Sequence, residues 1–315
     1  MTKKKISILI PAYNEKDVLK ALYKRLDNLA INNPEYDFEF FFVNDGSSDN
    51  TLDIIKSYVK KDNRIAYLNL SRNFGKEVAM IAGLDNVTGD ATVIIDADLQ
   101  DPPELIPKMI EFWQQGYDDV YAKRSSRSGE TWLKKITSSF FYKILQKSTD
   151  ITIQRDTGDF RLLSRRCVEA LKTIRETGRY TKGYFSWIGY SKKEITYIRD
   201  PRLAGDSKWN YFKLVNLAID GIVSFTTAPL RWSTIFGILV SLLAFIYILY
   251  LVIRTIVYGV DLAGYPSMMA VVLFLGGVQL ISLGIIGEYV GRIFKETKNR
   301  PLYFVEELHK SGNKK

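Results

Sequence analysis

Two carboxylates separated by a single residue, Asp96 and Asp98, are the sharpest chemical feature of the sequence. On an extended chain, side chains two residues apart point the same way, and two carboxylates so placed repel each other unless a cation neutralises them. Mg²⁺ or Mn²⁺ accepts one or two carboxylates and completes its shell with diphosphate oxygens and water. The same residues also suit the capped start of a helix before Pro102 and Pro103, and their spacing favours neither interpretation.

Four polar clusters each follow a predicted strand, at residues 11–15, 44–49, 71–76 and 96–101. In open α/β sheets, ligands bind outside the carboxyl ends of the strands. Asn, Asp and Gly are ordinary turn residues, so one such cluster carries little information. Four clusters in succession at one edge of one sheet predict a binding site for a polar ligand.

The elements that must position these clusters alternate between strands and helices. Short apolar runs predict strands at 6–10, 38–43, 65–70 and 91–95, with a fifth at 120–122. Helical spacing of apolar residues, capping signals at Ser48 and Asp49 and a first-turn proline predict helices at 16–29, 51–59, 77–86 and from Pro103. This alternation predicts an α/β fold with a doubly wound, mostly parallel sheet.

The composition excludes several kinds of site. The 315 residues include one cysteine, Cys167, and one histidine, His309, which we expect in a frayed C-terminal tail. An intramolecular disulfide, a zinc site and Ser-His-Asp catalysis are therefore not expected, and any metal must bind oxygen ligands. The net charge of +9 is compatible with nucleic acid, an anionic membrane surface or a phosphate substrate.

Two uncharged runs predict a transmembrane hairpin. Residues 232–253 and 262–287 carry no charge over 22 and 26 positions. Either run is long enough to cross a hydrocarbon core at about 1.5 Å per residue. The loop between them has one Arg and one Asp, whereas four basic residues, Arg292, Lys295, Lys298 and Arg300, follow the second run. The positive-inside rule predicts a multi-pass cell-membrane protein with both termini and the large domain in the cytoplasm.

Two further stretches combine aromatic side chains with lysines. Residues 132–146 suit either a surface helix packed on the core or a helix at the membrane interface. Residues 207–228 directly precede the first uncharged run, which favours interface helices there. Because a membrane anchor accounts for a basic, aromatic flank, we expect no nucleic-acid partner.

Six motifs within residues 6–209 carry a family resemblance. They are Pro11-Ala12-Tyr13-Asn14-Glu15, Asn44-Asp45-Gly46-Ser47-Ser48-Asp49, Ser71-Arg72-Asn73-Phe74-Gly75-Lys76, Asp96-Ala97-Asp98-Leu99-Gln100-Asp101-Pro102-Pro103, Asp156-Thr157-Gly158-Asp159-Phe160-Arg161 and Arg202-Leu203-Ala204-Gly205-Asp206-Ser207-Lys208-Trp209. With the hairpin, they make the chain resemble the inverting family-2 glycosyltransferases of the GT-A fold. The most similar subgroup is the membrane-anchored polyprenyl-phosphate glycosyltransferases, which include dolichol-phosphate mannose synthases and bactoprenol glucosyltransferases. Asn44 departs from the family pattern, in which Asp is commoner.

The resemblance implies roles for individual residues on the donor side. The residues expected around the nucleotide sugar are Pro11, Tyr13, Glu15, Asp45, Lys76 and Asp96, with Asp45 accepting from the uracil ring N–H. Asp96 and Asp98 are expected to hold Mg²⁺ or Mn²⁺ and the diphosphate. Gln100 is expected near the sugar, and the catalytic set comprises Asp159, Asp98 and Gln100.

On the acceptor side, the resemblance makes Asp159 a base or a group that orients the acceptor. Arg202, Ser207 and Lys208 would contact phosphates next to the membrane. Arg124 and Arg127 belong to a basic loop, for which a phosphate contact and a solvated charged face both stay open.

The function implied is inverting transfer of a hexose, glucose or N-acetylglucosamine, from a UDP-sugar to undecaprenyl or another polyprenyl phosphate, for modification of cell-envelope glycans. We assign residues 1–206 to a GT-A catalytic domain and 207–228 to juxtamembrane helices. The two transmembrane helices fall within 229–292, at about 232–255 and 265–289, and 293–315 form a cytoplasmic basic tail. Relatives also imply a homo-oligomer such as a tetramer.

Two other functions stay open. A processive polysaccharide synthase shares the sheet, but those enzymes usually have more spans and a Gln-x-x-Arg-Trp motif. Here Arg231-Trp232 is present, with Ala228 at the glutamine position. A non-catalytic nucleotide-sugar-binding membrane scaffold is the third option, although the intact Asp96, Asp98 and Asp159 argue against it.

Overall fold

The computed structural model describes residues 3–125, 154, 157–177, 181–197, 223, 226–259 and 264–312. The stretch at 132–146 and most of that at 207–228 fall outside the described residues, as do Arg127, Arg202, Ser207 and Lys208. The chain divides into two compact units, one of Met1–Ala218 with Pro301–Lys315 and the other of Ile219–Arg300.

Among the described residues, eight strands form one mixed sheet in the first unit. They are β1 (Lys4–Ala12), β2 (Tyr36–Asn44), β3 (Ile65–Leu70), β4 (Ala91–Ile94), β5 (Asp119–Arg124), β6 (Thr157–Ser164), β7 (Lys192–Tyr197) and β8 (Val305–His309). Their order across the sheet is β7-β5-β6-β4-β1-β2-β3-β8. The pairs β4–β1, β1–β2, β2–β3 and β5–β7 are parallel, whereas β6 is antiparallel to β4 and β5, and β8 is antiparallel to β3. This topology confirms the predicted α/β fold.

Helices connect these strands. They are α1 (Leu19–Asn32), α2 (Thr51–Val59), α3 (Lys76–Asn86), a 3₁₀ turn (Pro103–Leu105), α4 (Ile106–Gln114), α5 (Arg165–Thr173) and α6 (Thr181–Trp187). The central strands are buried, with Ile8 and Phe40 fully inaccessible to solvent, because helices cover parallel sheets on both faces. A Cβ on Gly83 would lie 2.1 Å from Leu9 Cδ1, so this glycine allows α3 to pack closely on β1.

Strand β6 carries a buried charge that the search for apolar runs missed. Arg161 Nη1 lies 3.0 Å from Asp119 Oδ2 on β5, and its guanidinium lies 3.7 Å from the ring centre of Phe185 in α6. Both members of the ion pair are inaccessible to solvent. Removing one partner of a buried pair leaves an uncompensated charge and is strongly destabilising. The pair therefore links β5, β6 and α6 two residues from Asp159.

The cytoplasmic basic tail at 293–315 remains a prediction, and its central residues form a strand. Val305–His309 form β8, which pairs antiparallel with the edge of β3. The His309 ring, expected in a frayed tail, stacks on Tyr67 with 5.8 Å between ring centroids. Hydrogen bonding to the free edge of β3 thus orders a segment whose side chains are mostly exposed.

Removal of residues 301–315 is expected to destabilise the sheet unit. The side-chain hydrogen bonds that would be lost include four, Tyr67–Glu307 at 2.6 Å, Asn69–Glu306 at 2.7 Å, Tyr303–Asp85 at 2.8 Å and Ser311–Glu39 at 2.7 Å. At about 1 kcal/mol each, the loss is roughly 4 kcal/mol, or about 8–16 °C in the midpoint of thermal unfolding. A chain that lacks only residues 313–315 keeps these contacts and serves as the control. Equal unfolding midpoints for the two truncated chains would contradict this role of β8.

The second unit contains two long apolar helices, α7 (Ala228–Tyr258) and α8 (Tyr265–Thr297). Ser233 Oγ donates to Ser282 Oγ at 2.9 Å, and Tyr289 Oη donates to the Thr226 carbonyl at 2.7 Å. The most apolar windows of both helices contain no buried residue in the described structure. Both helices are long and apolar enough to cross a membrane, at the two places the sequence predicts.

Candidate active site

The loops after β1 and β2 are joined through Asn14. Its backbone is left-handed, with φ of 57°, a conformation that Asn adopts more readily than most residues. Its N–H donates to Ser47 Oγ at 3.0 Å, and its Oδ1 accepts from the Ser48 N–H at 2.8 Å. The Glu15 N–H donates to Thr51 Oγ1 at 2.9 Å. The first two predicted clusters therefore form one connected surface, held by an asparagine to which the sequence analysis gave no role.

Asp45 connects the second cluster to the third. Its Oδ1 accepts from the Phe74 N–H at 2.7 Å and its Oδ2 from the Gly75 N–H at 2.9 Å. Burial raises the pKa of Asp45 above its ordinary value, and the two amide hydrogen bonds offset only part of that shift. The predicted contact with a uracil N–H would have to use the lone pairs that these two bonds leave.

Gly46→Ala is expected to disturb this junction. Gly46 has φ of 63°, and a Cβ there would lie 2.4 Å from the Arg72 carbonyl carbon. Left-handed strain alone costs about 1–2 kcal/mol, and the collision with backbone adds an overpacking cost of about 1–3 kcal/mol. Gly189→Ala is the matched control, because Gly189 has φ of 73° and its Cβ would meet nothing closer than 3.9 Å. Thermal unfolding should show a clearly larger loss for Gly46→Ala, and equal losses would contradict the predicted collision.

Lys76 lies between two carboxylates. Its Nζ is 2.6 Å from Asp96 Oδ1, 2.7 Å from Asp96 Oδ2 and 2.5 Å from Asp159 Oδ2. Lys76 is the first residue of α3, Asp96 follows β4, and Asp159 lies near the start of β6. Desolvation lowers the pKa of Lys76, but the two carboxylates raise it by more, so the ammonium keeps its charge. All three residues were predicted for the site, but the contact of Lys76 with Asp159 was not.

Local contacts hold the turn that carries Asp96 and Asp98. Leu99 is buried with φ of 59°, a conformation sparsely populated by residues other than glycine. The Gln100 N–H donates to Asp98 Oδ1 at 3.2 Å. Asp101 is buried and accepts from Tyr197 Oη on β7. The left-handed, buried leucine and the contact of Asp101 with Tyr197, both missed by the sequence analysis, hold the second half of this turn in place.

The remaining predicted residues in the described part of the chain lie at or near the carboxyl ends of the parallel strands, as the polar clusters do. Pro11 is buried in β1, and Tyr13, just after that strand, is 40% exposed. Arg124 ends β5, which runs in the same direction as β4 because both are antiparallel to β6. A Cβ on Gly158 would lie 3.4 Å from Arg124 Nη2. The Arg124 guanidinium thus lies beside the residue that precedes Asp159.

Asp96 and Asp98 fit a divalent cation that arrives with a phosphate ligand. No group of three or more His, Cys, Asp or Glu side chains within the described ranges could hold a metal alone. Mg²⁺, however, is usually held by one or two carboxylates and takes its other ligands from substrate phosphates and water. The oxygen donors of these two residues meet that requirement, although Lys76 already neutralises Asp96.

Two known protein families match this chain, one over the residues of the site and the other over the two apolar helices. Residues 7–172 match the family described as Glycosyl transferase family 2. The chain belongs to glycosyltransferase family 2. That match includes β2–β4, most of β1 and all three residues of the Lys76–Asp96–Asp159 cluster. Residues 228–293 match the GtrB C-terminal hairpin, which covers α7 and most of α8. The predicted glycosyltransferase membership is thereby confirmed.

Relatives of this family-2 glycosyltransferase are similar over nearly their whole length. The uncharacterized glycosyltransferase sll0501 of Synechocystis is 50% identical over 304 residues, 96% of this chain and 95% of that protein. The bactoprenol glucosyl transferase of Shigella phage SfX is 47% identical over 302 residues, 96% of this chain and 99% of that protein. Among solved structures, mannosyl-3-phosphoglycerate synthase from Rubrobacter xylanophilus has a TM-score of 0.48 at 15% identity, over 69% of this chain and 71% of that one.

Proposed function

We propose that the chain transfers one glucose from UDP-glucose to undecaprenyl phosphate, or another polyprenyl phosphate, at the cytoplasmic membrane face with inversion at the anomeric carbon. The observation that carries this proposal is the 47% identity, over 96% of this chain, to a protein named bactoprenol glucosyl transferase. The similarity includes both the acidic cluster and the hairpin. Glucose is preferred to N-acetylglucosamine because the names of such relatives specify it.

We assign to Asp159 the orientation of the acceptor rather than strong base catalysis. A phosphate monoester loses its second proton near about pH 6, so the acceptor is already a nucleophile at neutral pH. Lys76, 2.5 Å from Asp159, supplies the positive charge that offsets repulsion between this carboxylate and an anionic acceptor. An acceptor oxygen forms the new bond to C1 from the face opposite the diphosphate. The bond from C1 to the diphosphate oxygen breaks, and UDP leaves with the electron pair.

On the donor side, we propose that Pro11, Tyr13, Glu15 and Asp45 border the nucleotide and that Gln100 lies beside the sugar. Asp96 and Asp98 would hold Mg²⁺ or Mn²⁺. A bound divalent ion neutralises charge on the leaving diphosphate. The joined loops after β1, β2 and β3 support this arrangement, because they form a preorganised surface at the carboxyl edge of the sheet.

Phosphate contacts by five basic or hydroxyl side chains remain predictions. The position of Arg124 beside Gly158 supports its role near the reacting groups. Arg127, Arg202, Ser207 and Lys208 lie beyond the described ranges. Arginine binds phosphate by two parallel hydrogen bonds and lysine as a point charge.

We also propose that α7 and α8 cross the cell membrane and leave both termini in the cytoplasm. Basic residues at the end of α8 and beyond it support this orientation by the positive-inside rule. Anchoring raises the effective concentration of a lipid acceptor at the site. The predicted homo-oligomer is retained as part of the proposal.

Transfer by the full-length protein in lipid vesicles tests the function. UDP-glucose, Mg²⁺ and undecaprenyl phosphate should yield UDP and a singly glucosylated lipid, identified by mass spectrometry. UDP-N-acetylglucosamine and GDP-mannose should react more slowly. A polymeric product would indicate a processive synthase, and UDP binding without turnover would indicate a scaffold. Equal transfer to a water-soluble hydroxyl acceptor would contradict the lipid-phosphate assignment.

A further inference from the structure

The ammonium of Lys76 occupies the position next to Asp96 that a metal ion would need. Its Nζ lies within hydrogen-bond distance of both Asp96 oxygens, at 2.6 and 2.7 Å. A cation that binds Asp96 through either oxygen therefore meets a positive charge already in contact with that oxygen. The ammonium therefore repels a second cation at this carboxylate and lowers the affinity of Asp96 for it.

We propose that Lys76 and the divalent cation compete for Asp96, so that Lys76 must release Asp96 before the metal can bind there. This inference rests on the proposed function, because it takes Asp96 as part of the metal site. In the donor-free protein, Lys76 neutralises Asp96 and Asp159 and keeps the two carboxylates together. When a metal with its diphosphate takes over Asp96, the ammonium keeps its second partner, Asp159.

The position of Lys76 allows this exchange. Lys76 is the first residue of α3, its side chain is 43% exposed and its four-carbon stem is flexible. Asp159 accepts from the same Nζ at 2.5 Å and lies on a different strand from Asp96. The ammonium can therefore leave Asp96 without losing all compensation for its charge. The consequence is that the metal binds weakly alone and much more tightly with the diphosphate.

Mn²⁺ binding to the full-length protein in detergent tests this competition without any transfer reaction. Free Mn²⁺ is measured by electron paramagnetic resonance at fixed pH, with and without UDP. Lys76→Met should bind Mn²⁺ alone about 10-fold more tightly than the wild type, because the competing charge is gone. UDP should then improve Mn²⁺ binding by the variant much less than it improves binding by the wild type. Lys76→Arg, which keeps the charge, should resemble the wild type.

Lys56→Met is the matched control. Lys56 also forms an ion pair, 2.5 Å from Glu307, and its side chain is 38% exposed, but it contacts β8 rather than the acidic cluster. Its loss changes the net charge equally and should leave Mn²⁺ affinity unchanged. Lys76→Gln provides a second variant if the methionine variant fails to fold, as judged by thermal unfolding.

Several outcomes would overturn the proposal. Unchanged or weaker Mn²⁺ binding by folded Lys76→Met and Lys76→Gln would overturn it. A gain in Mn²⁺ affinity by Lys56→Met as large as that by Lys76→Met would also overturn it. Absence of Mn²⁺ binding by every protein, even with UDP, would overturn it as well. Failure of the proposed function is a separate result, because it would appear as intact Mn²⁺ competition without glucose transfer to undecaprenyl phosphate.

Discussion

An Asp159→Asn variant is expected to transfer glucose to polyprenyl phosphate about 10²–10³-fold more slowly than the wild type, the loss typical of one preorganised electrostatic contact. Asparagine keeps the shape of the side chain but removes the charge that Lys76 contacts at 2.5 Å. Within the described part of the chain, Asp96 would then be the remaining carboxylate partner of the Lys76 ammonium. Because Asp159 is proposed to orient the acceptor, the loss should appear in kcat and in the acceptor KM, while UDP binding measured by calorimetry without divalent metal changes little.

Glu194→Gln is the control for this variant. Glu194 on β7 also pairs with a lysine, Lys123, at 3.0 Å, and both side chains are 38% exposed. Exposed ion pairs contribute about 0–1 kcal/mol, so the variant should keep its stability and transfer rate. If Asp159→Asn were as active as this control, Asp159 would have no part in the reaction.

Replacement of Asp98 or Asp96 by Asn is expected to abolish metal-dependent transfer. A bound metal supplies several kcal/mol to the transition state, so losing it corresponds to about 10²–10⁴-fold in rate. Asparagine keeps an oxygen that can accept from the Gln100 N–H, which now contacts Asp98 Oδ1 at 3.2 Å. The turn should therefore persist, and the unfolding midpoint should stay close to that of the wild type.

Chelation provides an independent measurement of the same dependence. Excess EDTA should stop transfer by the wild type, and added Mg²⁺ or Mn²⁺ should restore it. Asp53→Asn, an exposed acid in α2, is the control for a general effect of removing one negative charge. Full activity in EDTA, or an Asp98→Asn variant as active as Asp53→Asn, would exclude the divalent-metal mechanism.

The central sheet could be predicted because its strands are encoded locally. Strands β1–β4 consist mainly of buried apolar residues, which is typical of parallel strands covered on both faces. The predicted range 51–59 coincides with α2, whereas α1 begins at Leu19 rather than at residue 16. The polar clusters at the ends of these strands followed from the same pattern, so most donor-side residues could be named in advance.

Strands β6 and β8 could not be predicted in this way. Arg161 is charged, and it is buried in β6 only because Asp119 of β5 and the ring of Phe185 lie against it. Strand β8 is largely exposed and polar, and it is ordered by the edge of β3 rather than by an apolar pattern of its own. A charge with a distant partner and an edge strand both lack a local signature.

The sequence by itself determined the family, the sheet type, the two apolar helices and the kinds of side chain at the site, because each depends on residues close together in the chain. Only the tertiary structure decided that Lys76 contacts Asp96 and Asp159, which lie 20 and 83 positions away. That contact requires β6 to return antiparallel beside β4, so that its first residues meet the end of that strand. Strand pairing depends on which edges are free and on the chain that connects them, and no local pattern of residues specifies it.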